Sequence, residues 1–329
     1  MDIRASESEI LENKLLDPSA VPISLPLYFL KSITHNFRND QELGRGGYGV
    51  VYKGFLRCGI IIAVKKLFDI HLVEDNDRFQ KELSFLMGIK HQNVVQLLGY
   101  CAESRWEMTK LSNGNYVLAQ IPASLLCFEY LCNRGLDKHV SDESSGLEWN
   151  MRFEIIKGIC SGLHFLHECN IVHLDLKPQN ILLDDTMMPK IADFGLSRLL
   201  GEQKTRTVTL KVAGSFGYMA PEYINQGIIS PKADIFSLGV IIIEILTGRR
   251  NRFERASKYT ALEIHTQQVK QCIAIALKCV NPDLKKRPNT LDIIEILNAA
   301  ERSCCVKNGK DSLVYHKVRS LIVCTVRPL

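Results

Sequence analysis

The sequence predicts an α+β fold: an antiparallel-sheet part holding one main helix, then a larger, mainly helical part. Three observations carry that reading. Val50-Val51-Tyr52 and Ile60-Ile61-Ile62-Ala63-Val64 are short β-branched runs around glycine-rich turns, which suits strands. Beyond residue 151 the apolar positions Ile155, Ile156, Ile159, Leu163 and Leu166 recur at helical spacing. A short stretch dense in chemistry follows that helix, His173-Leu174-Asp175-Leu176-Lys177-Pro178-Gln179-Asn180, with Asp193-Phe194-Gly195 close behind.

In chain order, residues 1–38 read as a flank punctuated by Asp17-Pro18, Pro22 and Pro26, with one helix over 27–37. Gly44-Arg45-Gly46-Gly47-Tyr48-Gly49 then follows Leu43. Dinucleotide folds and plain turns share such a glycine pattern. The strand-like flanks decide that it joins two antiparallel strands and opens no helix. Glycines let backbone amides approach a triphosphate with no Cβ in the way. Strand alternation puts Ala63 and Lys65 on one face and Lys66 on the other. A buried lysine needs a partner. Glu82 falls on the apolar stripe Phe79, Leu83 and Leu86, so Lys65 and Glu82 are expected to pair.

Residues 91–100 read as the next strand, 103–122 as a polar insertion and 125–130 as the last strand of the sheet. Helices are expected over 151–167, 235–246, 269–280 and 291–297, the last two on the stripes Val269/Ile273/Ala276/Val280 and Leu291/Ile294/Leu297. Asp234 is expected to cap the helix beginning at 235 by accepting from its exposed amides.

In the stretch 173–180, Pro178 is expected to keep the backbone between Asp175 and Asn180 from being helical. Oxygen donors such as Asn180 and Asp193 suit Mg²⁺, a hard cation that shares its sites with substrate phosphates. Asp175 is then placed to accept a proton from an attacking hydroxyl, and Lys177 to offset charge on a transferred phosphoryl group. His173 reads as a hydrogen-bonded core residue and not as a base or ligand.

The spacing Asp175…Lys177-Pro178…Asn180…Asp193-Phe194-Gly195 resembles the catalytic loop and metal-binding motif of the protein kinases, the standard worked case of phosphoryl transfer. The resemblance covers residues 39–302 and implies a two-lobed kinase fold. The small lobe would span 39–130 and the large lobe 131–302; the basic tail 303–329 has a composition that allows disorder. It implies ATP and Mg²⁺ as cofactors and Ser or Thr hydroxyls of proteins as acceptors. Leu43, Gly44, Gly46 and Gly49 would bind the nucleotide, Val51, Ala63 and Leu182 would sandwich the adenine, and the backbone of Glu129 and Leu131 would bond it. Phe128 would limit the depth of that pocket. Lys65, fixed by Glu82, would hold the α- and β-phosphates; Asn180 and Asp193 would hold the metal; Asp175 and Lys177 would be catalytic. The pattern implies that Lys65, Asp175, Asn180 and Asp193 line one cleft.

The same resemblance pairs Glu222 of Ala220-Pro221-Glu222 with Arg287 as a structural ion pair, implies that Asp234 ties its helix to the catalytic loop, and puts Ser215 where a threonine helps seat Ser/Thr substrates. Thr205, Thr207 and Thr209 are candidate phosphosites. Leu25-Pro26…Leu30…Ile33-Thr34…Phe37 is similar to the segment preceding the kinase domain of plant receptor-like kinases, where it packs on the small lobe. A receptor or receptor-like kinase partner follows from that similarity. Two departures stand out. Leu174 replaces the Arg that meets an activation-loop phosphate in regulated kinases, as in the so-called non-RD kinases, and a leucine cannot make that charge-assisted bond. The polar stretch 247–265 is short for the family.

Composition narrows the alternatives. A net charge of +5 with 23% charged residues is too weak and dispersed to argue for nucleic acid. The 11 cysteines are odd in number and scattered, without a Cys-x-x-Cys pair, and read as thiols in a reducing compartment. No signal peptide is expected from the acidic start, and no transmembrane segment, because the longest apolar run, 235–246, is too short. The expected location is the cytoplasm, with the inner face of the plasma membrane reached through a partner. A non-catalytic kinase-like scaffold is the competing class. Its usual mark, loss of the Lys, the loop Asp or the metal Asp, is absent, while Leu174 and the stretch 247–265 keep it open. A Walker-type nucleotide switch fails, because no glycine-Lys-Ser/Thr ending follows Gly49.

Overall fold

A computed structural model describes residues 3–17, 20–68, 73–110, 113–140, 147–201, 205–247 and 266–304. The chain divides into two compact units, residues 1–131 and 132–329.

The first unit contains α1 (Ile3–Leu15), β1 (Ile23–Ser24), α2 (Leu27–Ile33), β2 (Glu42–Gly46), β3 (Gly49–Phe55), β4 (Ile61–Leu67), α3 (Val73–Met87), β5 (Leu97–Lys110) and β6 (Tyr116–Glu129). The strands form one sheet in the order β1-β5-β6-β4-β3-β2. Every pairing is antiparallel except the two-residue contact of β1 with β5. The period-2 alternation of β4 gives this sheet two different faces. Ile62 and Val64 point into an apolar core with Leu56, Cys101, Leu125 and Cys127, which Leu15, Leu25, Phe29, Leu30 and Ile33 cover from the N-terminal flank. The flank is therefore part of this unit's core.

Two expectations need correction here, and one element is new. The flank helix was expected over 27–37, but α2 stops at Ile33. Thr34 Oγ1 donates to Leu30 O and accepts from Phe37 N, and His35, Asn36 and Phe37 all take left-handed backbone, which no helix continues. Helix α1 was not anticipated. The polar insertion expected over 103–122 is instead most of a long hairpin, because β5 and β6 stay in register from Ala102↔Ser124 out to Lys110↔Tyr116. Its turn holds Asn113-Gly114, with Gly114 at φ 85° and Asn113 Oδ1 accepting from Asn115 N at 3.0 Å.

The second unit runs α4 (Leu136–Val140), α5 (Trp149–Glu168), β7 (Ile171–Val172), β8 (Ile181–Leu183), β9 (Pro189–Ile191), β10 (Arg198–Leu199), β11 (Thr207–Val208), α6 (Pro221–Gln226), β12 (Ile228–Ile229), α7 (Pro231–Thr247), α8 (Thr266–Cys279) and α9 (Thr290–Cys304). Helix α5 buries Ile155, Ile156, Ile159, Leu163 and Leu166, the stripe its spacing announces. Helix α7 packs on α8, and α9 packs on both α8 and α5. Gly239 of α7 is required by that packing. A Cβ there would lie 2.6 Å from Cys279 Cβ and 3.0 Å from Ala276 O.

The stripes of the last two helices are turned slightly from expectation. Val269, Cys272, Ile275, Ala276 and Cys279 are the buried apolar set of α8, with Ile273 and Val280 only half-buried. On α9 the buried apolar residues are Ile293, Leu297 and Ala300, whereas Leu291 is 49% exposed. The polar stretch 247–265 beyond Thr247 and the tail beyond Cys304 lie outside the described residues.

Candidate active site

In the first unit the register fixes which side chains share the sheet face away from the flank. Val51 lies opposite Lys65, Lys65 opposite Leu126, and Ala63 opposite Phe128. Lys65 Nζ bonds both carboxylate oxygens of Glu82, at 2.7 and 3.1 Å. Both residues are buried, so the ammonium is held where it can meet an anion with little water to screen it. Lys66, on the opposite face, lies 5.1 Å above the Phe37 ring of the flank.

The glycine-rich segment closes β2 against β3, with Gly46 paired to Gly49 and the turn at Gly47-Tyr48. Gly49 is demanded by packing, since a Cβ there would meet Lys66 O at 2.4 Å. Gly44, Gly46 and Gly47 differ. A Cβ on any of them meets nothing within 4 Å, and none takes a left-handed backbone. Neither packing nor conformation accounts for glycine at these three positions, whereas close approach of a ligand to the backbone does. Leu43 beside them is exposed. At the end of β6, Glu129 N donates to Gln96 O at 3.2 Å and Glu129 Oε1 accepts from Gln96 N at 2.8 Å. Any bond from the Glu129 backbone to an adenine ring therefore falls to its carbonyl. Leu131, the other expected adenine contact, is the last residue of this unit.

In the second unit β8 and β9 form a tight hairpin, Ile181↔Ile191 to Leu183↔Pro189. Its turn is fastened by Asp184 Oδ1, which accepts from Thr186 N, Thr186 Oγ1 and Met188 N. At its open end Ala192 N donates to Asn180 O at 2.9 Å. Asn180 and Asp193, thirteen residues apart, are brought to the same end of the hairpin in this way. Leu182 is half-buried at its centre and bridges to Gly135. Pro178 does not prevent helical backbone but opens a 3-10 turn, Pro178–Asn180. It occupies the first position, where a missing N–H costs nothing.

The Asp175 carboxylate is buried and receives three donors: Lys177 Nζ on Oδ2 at 2.8 Å, Asn180 Nδ2 on Oδ2 at 3.0 Å, and Ser215 Oγ on Oδ1 at 2.8 Å. Lys177 Nζ also reaches Ser215 Oγ at 2.8 Å. Asn180 Nδ2 additionally bonds Asp175 O at 2.8 Å, so both its amide hydrogens are used and its Oδ1 is left to accept. That oxygen and the Asp193 carboxylate are the hard donors a divalent ion takes. Among the described residues no group of three or more His, Cys, Asp or Glu could hold a metal. A site of one amide and one carboxylate fits an ion that completes its shell with water and phosphate oxygens.

His173 has its ring buried, with Nε2 3.1 Å from Ala192 O and Nδ1 accepting from Asp175 N at 3.3 Å, and stacks edge-on against Phe194 at 5.1 Å. Asp234 follows the role that the family resemblance implies and not the capping role. It sits inside the first turn of α7, and its carboxylate accepts from His173 N at 2.7 Å and Leu174 N at 2.8 Å, with His167 Nε2 3.1 Å away. It ties the helix to the loop and does not cap the helix. Sequence spacing offers no sign of the His167 contact, which spans 67 residues. Glu222 and Arg287 form a buried bidentate pair at 2.7 and 2.8 Å. Thr205 is exposed, Thr207 pairs in β11 with Ile229, and Thr209 Oγ1 is bonded to Lys211.

A sheet unit followed by a helical unit, with these motifs in this order, is the architecture of a phosphotransferase of the two-lobed kind. Residues 37–304 match the family profile described as Protein kinase domain, and the chain belongs to that family. It is 36% identical over 329 residues to the Arabidopsis thaliana receptor-like serine/threonine-protein kinase SD1-7, covering 90% of this chain and 36% of the relative. It is 34% identical over 318 residues to the Arabidopsis thaliana G-type lectin S-receptor-like serine/threonine-protein kinase B120, covering 88% and 35%. To the Arabidopsis thaliana cysteine-rich receptor-like protein kinase 1 it is 44% identical over 227 residues, covering 68% and 34%. The chain thus spans about a third of the length of the curated relatives it matches. Family membership implies the use of ATP and a divalent metal ion. No helix among the described residues is long and apolar enough to cross a membrane.

Proposed function

We propose that this chain transfers the γ-phosphoryl group of ATP, with Mg²⁺, to Ser or Thr hydroxyls of proteins, in plant receptor or defence signalling. The observation that carries the reading is the Asp175 carboxylate, buried and fixed by Lys177, Asn180 and Ser215. Its Oδ1 already accepts a hydrogen bond from a neutral hydroxyl, which is what a base does toward an attacking alcohol.

The roles follow from the chemistry. Lys65, held by Glu82, neutralises the α- and β-phosphates, and the amides around Gly44, Gly46 and Gly47 take phosphate oxygens. Val51, Ala63 and Leu182 stack on the base, and Glu129 O and Leu131 bond its edge. Asn180 and Asp193 hold Mg²⁺, which when bound screens the phosphate charge. Asp175 orients the acceptor hydroxyl and takes its proton as the oxygen attacks the γ-phosphorus and the bond to ADP breaks. Lys177 offsets the charge on the moving phosphoryl group. Catalysis here is mainly positioning and electrostatics. The receptor partner and a cytoplasmic location at the plasma membrane belong to the same proposal, supported by the names of the relatives.

The test is Mg²⁺-dependent ATP turnover on a generic Ser/Thr substrate. Wild-type protein should turn over. Asp175→Asn should lose about 100-fold or more, the scale of a general base. Asp193→Ala should keep the fold and lose most turnover. A folded wild type with no turnover would support the scaffold class instead.

A further inference from the structure

The long hairpin carries a face that the proposed chemistry does not use. Its register sets three cross-strand pairs on one side: Trp106 opposite Gln120, Met108 opposite Leu118, and Lys110 opposite Tyr116. The four large apolar side chains are open to solvent: Trp106 65%, Met108 62%, Tyr116 62% and Leu118 59% exposed. The flank packs against the other side only at the base of the hairpin, around Cys101 and Leu125, and further out that side carries the exposed polar residues Arg105 and Glu107. Beyond Ser104↔Pro122 the ribbon has two strands and no further neighbour among the described residues. Two-stranded ribbons are marginal in water unless an apolar face is covered.

We propose that this face is covered by the same face of a second copy of the chain, forming a two-fold dimer through the β5–β6 ribbon. The arrangement of the side chains is self-complementary. The two aromatics occupy one diagonal of the patch, Gln120 and Lys110 the other, and Met108 with Leu118 the centre. A two-fold axis along the strands sets Lys110 over Tyr116 of the second copy and Met108 over Leu118. An axis across the strands sets Lys110 over Trp106 and pairs Met108 and Leu118 with themselves. Either one buries the apolar centre and puts the only charge of the patch over an aromatic ring, a favourable contact. Lys110 already lies 5.9 Å from its own Tyr116 ring.

Area agrees. The four side chains leave on the order of 500 Å² open, at the upper end of what a monomer shows. Two such faces bury about 1,000 Å², the lower bound for a specific contact. The dimer is therefore weak and reversible, with a dissociation constant in the micromolar range or weaker. Aligned sheets pack face to face in this way.

Sedimentation equilibrium of the whole chain across a concentration series tests this. Wild type should shift from monomer to dimer, and Leu118→Glu should weaken that association by at least about tenfold, as loss of a central contact does. Met108→Lys is the second variant should the first fold poorly; both sites are exposed, so the melting temperature should hold. Unchanged association in the folded variants overturns the proposal. So does a wild type that stays monomeric throughout, whether or not it takes up another protein or a vesicle through this face.

Discussion

The amide of Leu174 donates to the Asp234 carboxylate at 2.8 Å, joining the loop that holds Asp175 to a helix sixty residues further along. The neighbouring amide of His173 takes the other oxygen at 2.7 Å. Leu174 sits at φ 67°, backbone that disfavours a leucine by roughly 1–2 kcal/mol. The two bonds hold it there, so Asp234 sets the direction in which Asp175 leaves the loop.

Asp234→Ala should therefore act on stability and turnover together. It strands two buried amides, at a cost of about 2–4 kcal/mol. It also releases the left-handed residue and lets Asp175 drift. Asp234→Asn keeps one acceptor and should lose less of both. Urea unfolding beside turnover checks this; an Ala variant as stable as wild type would show that the tie does not fix the loop.

Leu174 also decides how the segment after Asp193 is fastened. Its side chain is buried in a cluster with Leu200, Met219, Tyr223 and Ile229. The segment is further held by β11 on β12 and by Tyr223 Oη, which donates to Ala213 O at 2.8 Å. These contacts need no phosphate. Turnover of phosphatase-treated and phosphorylated protein should differ by less than about tenfold, because no arginine stands at 174 to gain a charge-assisted bond. A rise of about a hundredfold on phosphorylation would overturn that account.

Two glycine substitutions separate packing from ligand approach. At Gly46 a Cβ meets nothing, so Gly46→Ala should leave stability unchanged or raise it slightly. If amides there take phosphate oxygens, the KM for ATP should rise about tenfold, the scale of one hydrogen bond to a charged group. At Gly239 the reverse holds. Overpacking against Cys279 and the α8 backbone costs about 1–3 kcal/mol, against a gain of about 1 kcal/mol in helix propensity. Gly239→Ala should be destabilised by up to about 2 kcal/mol, with KM unchanged.

What the sequence discloses follows from range. The α5 stripe, the faces of β4 and the pairing of Lys65 with Glu82 are legible because periodicity or the cost of burying a charge announces each. Asp234 at a helix start has the look of a cap when read from its neighbours, and its tie to a loop sixty residues away is legible only through the family resemblance. Glu12 of α1 looks solvated, yet it is buried and accepts from Arg57 N at 3.0 Å. The β5–β6 hairpin was hard to see because Lys110 and Gln120 interrupt the apolar phase; the short alternation Arg105-Trp106-Glu107-Met108 and the Asn113-Gly114 turn were its local signs.

The buried cysteines give the last expectation. Every cysteine whose side chain is described is a free thiol; Cys101, Cys127, Cys160, Cys272 and Cys279 are buried, while Cys58, Cys132 and Cys169 are exposed. Burial pushes the thiols of Cys272 and Cys279 up to about 12 from an ordinary 9.0. Cys101 rises to about 11 for the same reason, and Cys127 and Cys160 also move upward. In the folded chain these groups keep their protons where the unfolded chain has lost them. Their contribution to stability is thus complete below about pH 9 and is lost as pH rises toward about 12, at about 1.4 kcal/mol per pH unit for each well-buried thiol. Urea unfolding under reductant should be flat in this respect from about pH 7 to 8.5 and fall above about pH 9, and Cys272→Ala should show a shallower fall. An alkylating reagent at neutral pH should modify Cys58 and Cys132 readily, Cys169 more slowly because partial burial raises its thiol, and the five buried thiols only on unfolding. Equal slopes for wild type and Cys272→Ala, or rapid labelling of Cys160 in the folded chain, would contradict the burial that sets these values.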